Sequence, residues 1–153
     1  LPDRFAAVAP VAGVEFYDDC AAGRVAVMAF HGTADPIVTY DGGGLNATAI
    51  AASNSWNGDV PPGLPVHHGV DAAMKTWAAH NGCDAEPETE DVAPSVRRRT
   101  WSGCDAPTVL YIIDGGGHAW PGKPVPEFEA QFGAGTTAVD ASALIFAFFL
   151  GPH

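Results

Sequence analysis

Two apolar runs decide what this chain can fold into. Arg24 to Phe30 reads RVAVMAF and Thr108 to Ile113 reads TVLYII, with none of the apolar-polar alternation of a strand that has one wet face. A strand without that alternation is covered on both faces, which is the habit of sheets flanked by helices. The runs therefore predict an α/β fold with a mostly parallel sheet. Phe5 to Val11 (FAAVAPV) reads as a third short strand and Val96 to Ser102 as a fourth. Val66 to His80 places Val70, Met74, Trp77 and Ala78 at helical spacing, with Gly82 as a stop, and Val139 to Leu150 reads as a closing helix. Between them, Asp41 to Pro65 is rich in Gly, Asn, Ser and Pro and reads as a long loop or lid with one helical turn near Ala47 to Ala52. Asp84 to Pro94 is acidic, contains proline and reads as a surface loop. At 153 residues there is room for one domain with a real core.

Charge narrows the partners. The chain has 18 Asp and Glu against 7 Lys and Arg, a balance that repels nucleic-acid phosphates. Its one basic cluster, Arg97-Arg98-Arg99, lies in an expected strand, where successive side chains alternate faces and form no continuous patch. The longest apolar stretch, Ala141 to Leu150, makes only about three helical turns, too short to cross a membrane. No nucleic acid and no membrane are expected as partners. The start, Leu1-Pro2-Asp3-Arg4-Phe5, lacks the basic and apolar regions of a signal peptide and reads as the middle of a domain.

The chemistry is expected where the apolar runs end. After the first comes His31-Gly32-Thr33-Ala34-Asp35-Pro36, and after the last Gly115-Gly116-Gly117-His118-Ala119-Trp120-Pro121-Gly122. In a parallel sheet the strands' C-terminal ends share one edge, so Asp35 and His118 are expected to meet there. Three glycines let the backbone turn sharply and approach its neighbours closely, which presents the imidazole at that edge. Trp120-Pro121-Gly122 stiffens the loop and adds a flat apolar wall. Such a histidine suits a general base, and Asp35 suits the carboxylate that selects its productive tautomer. Asp35 also fits a plain turn-capping role before Pro36. Asp114, a rival acid, is expected to bind backbone groups in the glycine turn.

No nucleophile accompanies this pair. The chain has no G-x-S-x-G, and Ser53, Ser55, Ser95, Ser102 and Ser142 lie outside any strand-elbow-helix context. Cys20 follows Asp18-Asp19, whose charge disfavours a thiolate. Metal chemistry is not expected. His67-His68 diverge by about 100° on a helix, and Glu86, Glu88, Glu90 and Asp91 lack calcium-loop spacing. No cofactor is implied. Cys83 and Cys104 flank a polar segment and could close it as a disulfide, leaving Cys20 over, or all three could be reduced thiols. Asn46-Ala47-Thr48 is a glycosylation sequon by pattern. The aromatics Trp56, Trp101, Trp120 and Tyr40 allow a different class of function, a non-catalytic module that stacks exposed tryptophan on glycan or polymer.

Together these residues resemble the polyhydroxybutyrate depolymerase family of α/β-hydrolases, which includes feruloyl and acetylxylan esterases. The resemblance rests on Pro2 through Gly13, on His31-Gly32-Thr33-Ala34-Asp35, on Trp77 through Asn81-Gly82-Cys83, and most specifically on Gly115 through Gly122. It implies a secreted serine carboxylic-ester hydrolase acting on a polyester or an acylated polysaccharide. Asp35 and His118 would be its triad acid and base, Trp120 would line the substrate site, and Cys83 would pair with Cys104; among the aromatics, Tyr40 is a further candidate for substrate binding. Residues 1–153 would be the C-terminal part of a single α/β-hydrolase domain with a lid-like insertion at about 44–65. The serine and the oxyanion hole would lie upstream of Leu1, in a missing N-terminal half, so the chain alone would be inactive.

Overall fold

The computed structural model describes residues 5–16, 23–44 and 66–151. Cys20, Trp56, the sequon and the insertion beyond Gly44 lie outside the described residues. The main sheet has five strands in the order β1 (Ala7–Val8), β2 (Ala26–Gly32), β7 (Thr108–Ile113), β6 (Val96–Trp101), β5 (Glu88–Ala93). A short ribbon pairs β3 (Gly43–Gly44) with β4 (Val66–His67). The helices are α1 (Val70–His80), α2 (Glu129–Phe132) and α3 (Ala141–Phe149).

β2 and β7 form the centre, paired in parallel from Val27 opposite Thr108 to Gly32 opposite Ile113. Their alternating side chains feed two cores. Val27, Ala29, Leu110 and Ile112 pack with Val70, Met74 and Ala78 of α1. Met28, Phe30, Tyr111 and Ile113 pack with Ala141 and Ile145 of α3 on the opposite face. Phe30 and Tyr111 stack with ring centroids 4.7 Å apart. Burial on both faces is the reason these runs carry no polar alternation.

The sheet is mixed, which corrects the expectation of a mostly parallel one. β1–β2 and β2–β7 are parallel, but β7–β6 and β6–β5 are antiparallel. Chain length dictates this. Only residues 102–107 join β6 to β7, and a parallel crossover needs a dozen or more. Pro94-Ser95 alone join β5 to β6, with Ser95 at φ 57°. β5 itself replaces the expected acidic loop. Its exposed carboxylates lie opposite the arginines of β6, Glu90 facing Arg98 and Asp91 facing Arg97, and Arg98 pairs with Glu90. Cross-strand charge thus supports a strand that hydrophobicity does not announce. Arg97 instead takes Asp114 and Arg99 takes Asp71, so each arginine of the cluster is matched by a carboxylate.

Asn81 fastens the lower end of the central strands. It is fully buried, its Nδ2 donates to the Val25 carbonyl at 2.9 Å and to Thr108 Oγ1 at 3.0 Å, and Oδ1 accepts from the Val25 N–H at 3.3 Å. Cys83 and Cys104 are disulfide-bonded, tying the end of α1 to the β6–β7 connection. Replacing Asn81 by alanine strands the Val25 groups in the core, where each unpaired polar group costs about 1–3 kcal/mol. The expected loss is at least about 2 kcal/mol of unfolding free energy, read as a lower urea midpoint at constant slope.

Candidate active site

The register of β2 and β7 ends level, Gly32 opposite Ile113, so the loops that follow start side by side. They are stitched together by backbone bonds. The Thr33 N–H donates to the Ile113 carbonyl at 2.9 Å and the Ala34 N–H to Gly116 at 2.9 Å, while the Gly115 N–H reaches Thr33 Oγ1 at 2.8 Å. Of the three glycines only Gly115 has positive φ, at 73°. Gly116 and Gly117 are required for closeness instead. A Cβ on Gly116 would lie 2.5 Å from Ile113 Cγ2, and one on Gly117 would run into the Phe132 carbonyl. The Gly117 N–H donates to the Ala134 carbonyl at 2.8 Å and the His118 N–H to Phe132, which straps the histidine loop to the segment after α2.

This scaffold brings Asp35 and His118 together. His118 Nδ1 lies 2.9 Å from Asp35 Oδ2. An ionised carboxylate only accepts, so Nδ1 carries the proton and donates it to this bond, leaving Nε2 as the ring's other nitrogen. Among the described residues none hydrogen-bonds Nε2. The two carboxylate oxygens divide their duties. Oδ1 accepts from the Ile37 N–H at 2.8 Å and the Val38 N–H at 2.9 Å, the turn-capping role, while Oδ2 serves the imidazole. Asp114 does not compete, and it does not bind the glycine turn either. Its carboxylate is held by Arg97 in a two-pronged contact at 2.8 and 2.5 Å on the surface.

The Asp35 carboxyl is buried, which by itself would raise its pKa. Hydrogen bonds from His118 and His31, the charge of His118 and the Val38 N–H overcome that and bring it down to about 2. A carboxylate whose folded pKa is depressed stabilises the fold above its ordinary pKa near 3.8 and loses that contribution as pH falls toward 2. The shift corresponds to about 2 kcal/mol. Unfolding midpoints measured between pH 5 and pH 2 should therefore fall more steeply for the native chain than for Asp35→Asn.

Trp120 stands beside the histidine. Its indole Nε1 donates to Ser142 Oγ at 3.1 Å, which fixes the ring against the start of α3, and 44% of the residue stays exposed. With His118, Val125, Phe128 and Phe132 it lines an open pocket of about 170 Å³. Phe128 and Phe132 meet edge to face at 6.0 Å. These two rings were not anticipated from sequence, although their spacing of four within Glu127 to Phe132 puts both on one helical face. Tyr40 is placed elsewhere. Its ring meets His31 edge-on at 5.9 Å and its hydroxyl donates to Asp71 Oδ1 at 2.6 Å, away from the pocket residues. Burial and the Asp71 carboxylate raise its pKa above the ordinary tyrosine value. Trp101 is only 4% exposed and packs under α1, so it offers no stacking face. Its inward direction at the end of β6 corrects the expectation of an exposed ring. Among the described residues no cluster of His, Cys, Asp and Glu has the form of a metal site.

The chain matches no protein-family model. It is 29% identical over 158 aligned positions to a protein of Nocardia uniformis subsp. tsuyamanensis described as "Putative esterase NocK", a match covering 98% of this chain and 45% of that protein. The chain thus spans less than half the length of the curated relative it matches, and its likeness is to an esterase-type protein.

Proposed function

We propose that this chain supplies the acid and base of a serine carboxylic-ester hydrolase. The observation that carries the reading is the 2.9 Å bond from His118 Nδ1–H to the buried Asp35 carboxylate, with Nε2 left open at the sheet's C-terminal edge. In this reading Nε2 takes the proton of a serine hydroxyl as its oxygen attacks the ester carbonyl, and Asp35 stabilises the imidazolium that forms. Nε2 then returns the proton to the departing alcohol. Water, activated in the same way, hydrolyses the acyl-enzyme. The serine and the oxyanion-hole donors come from sequence N-terminal to Leu1, in keeping with a relative more than twice as long. β1 offers a place for that segment, since among the described strands it pairs only with β2.

The substrate is an ester with a compact apolar group next to the scissile bond, such as a short hydroxyalkanoate polyester or an acyl ester on plant polysaccharide. The pocket walled by Trp120, Phe128 and Phe132 beside His118 supports this. The Cys83–Cys104 bond supports a secreted setting, because disulfides persist in oxidising compartments. The reading is tested on the protein extended at its N-terminus. A fluorophosphonate probe should label one upstream serine, and p-nitrophenyl butyrate should be hydrolysed. No labelling and no hydrolysis by a folded, extended protein would overturn it.

A further inference from the structure

The structure assigns a role to His31, a residue that the proposed acid–base pair leaves unused. His31 is the largest polar side chain sunk in the centre of the sheet, only 1% exposed, at the end of β2. Its Nε2 stands 2.8 Å from the Val38 carbonyl oxygen and 3.4 Å from Asp35 Oδ2. Both neighbours are acceptors, so Nε2 carries the hydrogen and shares it between them. The other ring nitrogen, Nδ1, is buried with no hydrogen-bond partner among the described residues. The ring therefore spends its entire polar capacity on one object, the turn from Asp35 to Val38.

That turn is closed from both sides. Asp35 Oδ1 holds the Ile37 and Val38 N–H groups from within, and His31 holds the Val38 carbonyl from below while touching Oδ2. Oδ2 is the oxygen that receives the His118 Nδ1–H. His31 thus fixes the rotation of the carboxylate about its own bond, the freedom that would otherwise let Oδ2 swing off the imidazole. The ring is itself braced. Tyr40 presses on it edge-first at 5.9 Å, and the Tyr40 hydroxyl is anchored to Asp71, which also takes Arg99 at 2.7 Å. A line of contacts runs from Arg99 and Asp71 through Tyr40 and His31 to Asp35 and His118.

We propose that His31 is a positioning residue for the Asp35–His118 pair, acting through its shared Nε2–H, with Tyr40 as its brace. The inference rests on the proposed ester hydrolysis, in which misplacing the base by about 1 Å can cost on the order of 100-fold in rate. The alternative is that His31 merely fills space, since buried aromatic-sized side chains do so everywhere in cores.

The experiment compares His31→Leu, His31→Gln and His31→Asn in the N-terminally extended protein, with His118→Ala alongside. Each is checked for folding by circular dichroism and for kcat and KM on p-nitrophenyl butyrate. Leucine keeps the bulk and loses the N–H, and is expected to lower kcat about 10- to 100-fold with KM within about twofold. Glutamine can extend an amide N–H to the Val38 carbonyl and is expected to recover kcat to within about threefold of native. Asparagine is too short and should resemble leucine. If the leucine variant does not fold, the glutamine–asparagine pair decides. The His118 Nδ1–H proton resonance, observed at low field, should broaden or move upfield in the leucine or asparagine variant and persist in the glutamine one. A folded leucine variant with native kcat and an unmoved resonance would overturn the proposal, as would glutamine and asparagine variants equally impaired. Retained activity in His118→Ala would instead overturn the acid–base reading itself, so the two failures are told apart.

Discussion

Replacing His118 by alanine in the N-terminally extended protein is expected to lower kcat for p-nitrophenyl esters by about 10⁶-fold, and Asp35→Asn by about 10⁴-fold. The two losses have different origins. Without His118 no group is placed to take the serine proton. With asparagine at 35 the imidazole remains, but the Ile37 and Val38 N–H groups hold the amide carbonyl in the place of Oδ1, so the amide N–H faces Nδ1. The ring must then turn its acceptor there and its own hydrogen toward the serine, the wrong tautomer. Asparagine is the informative change because its carbonyl still caps the Ile37 and Val38 N–H groups, which Asp35 Oδ1 holds at 2.8 and 2.9 Å. Alanine there would undo the turn as well. Combining the two substitutions should cost little more than His118→Ala alone, because residues that act as one unit are far from additive. A double variant whose losses multiply would mean that Asp35 and His118 act separately.

The contact between Asp35 and His118 was legible because each residue sits just past a fully apolar run, and parallel strands put those ends on one edge. β2 and β7 are adjacent and in level register, Gly32 opposite Ile113, which no periodicity announces but which the short range of a side-chain contact requires. What stayed hidden was set by pairing across space. β5 is invisible as a strand because Glu88, Glu90 and Asp91 are exposed and acidic, and the arginines opposite support it. The antiparallel half of the sheet follows from two short connections, of which only the one between β5 and β6 depends on β5 being a strand. The bond from the Tyr40 hydroxyl to Asp71 joins residues 31 positions apart, and no local pattern announces it. Asn81 stands out in the sequence as part of Asn81-Gly82-Cys83, before a helix-stopping glycine, but nothing local shows that it holds the starts of β2 and β7. The pocket wall at Phe128 and Phe132 lies in a stretch without strand or long-helix periodicity, where sequence patterns say least.

Gly32→Ala is expected to be among the most disruptive single-methyl changes at the described glycines. Gly32 has an ordinary backbone conformation, so the glycine is there for space and not for φ. A Cβ on it would collide with the Gly116 carbonyl and stand 2.6 Å from the Gly117 carbonyl oxygen. Neither obstacle can rotate away, because both are backbone. Gly116 is held by Ala34 and Gly117 by Ala134, at 2.9 and 2.8 Å. The clash is relieved only by separating the two loops, which breaks the stitching between Thr33, Ala34 and the glycine turn and carries His118 away from Asp35. Overpacking of this kind costs about 3 kcal/mol. A shift of the imidazole by about 1 Å adds a loss on the order of 100-fold in kcat. Gly43, in the separate β3–β4 ribbon, supplies the control for the methyl group itself, since a Cβ there meets nothing within 4 Å. At φ 114° it carries only backbone strain. Gly43→Ala should therefore lower the thermal midpoint modestly and leave kcat near native. If Gly32→Ala instead unfolds at the native temperature and keeps native kcat, the loops do not pack as closely as their carbonyls indicate, and the level ends of β2 and β7 cannot be what sets the acid and base in place.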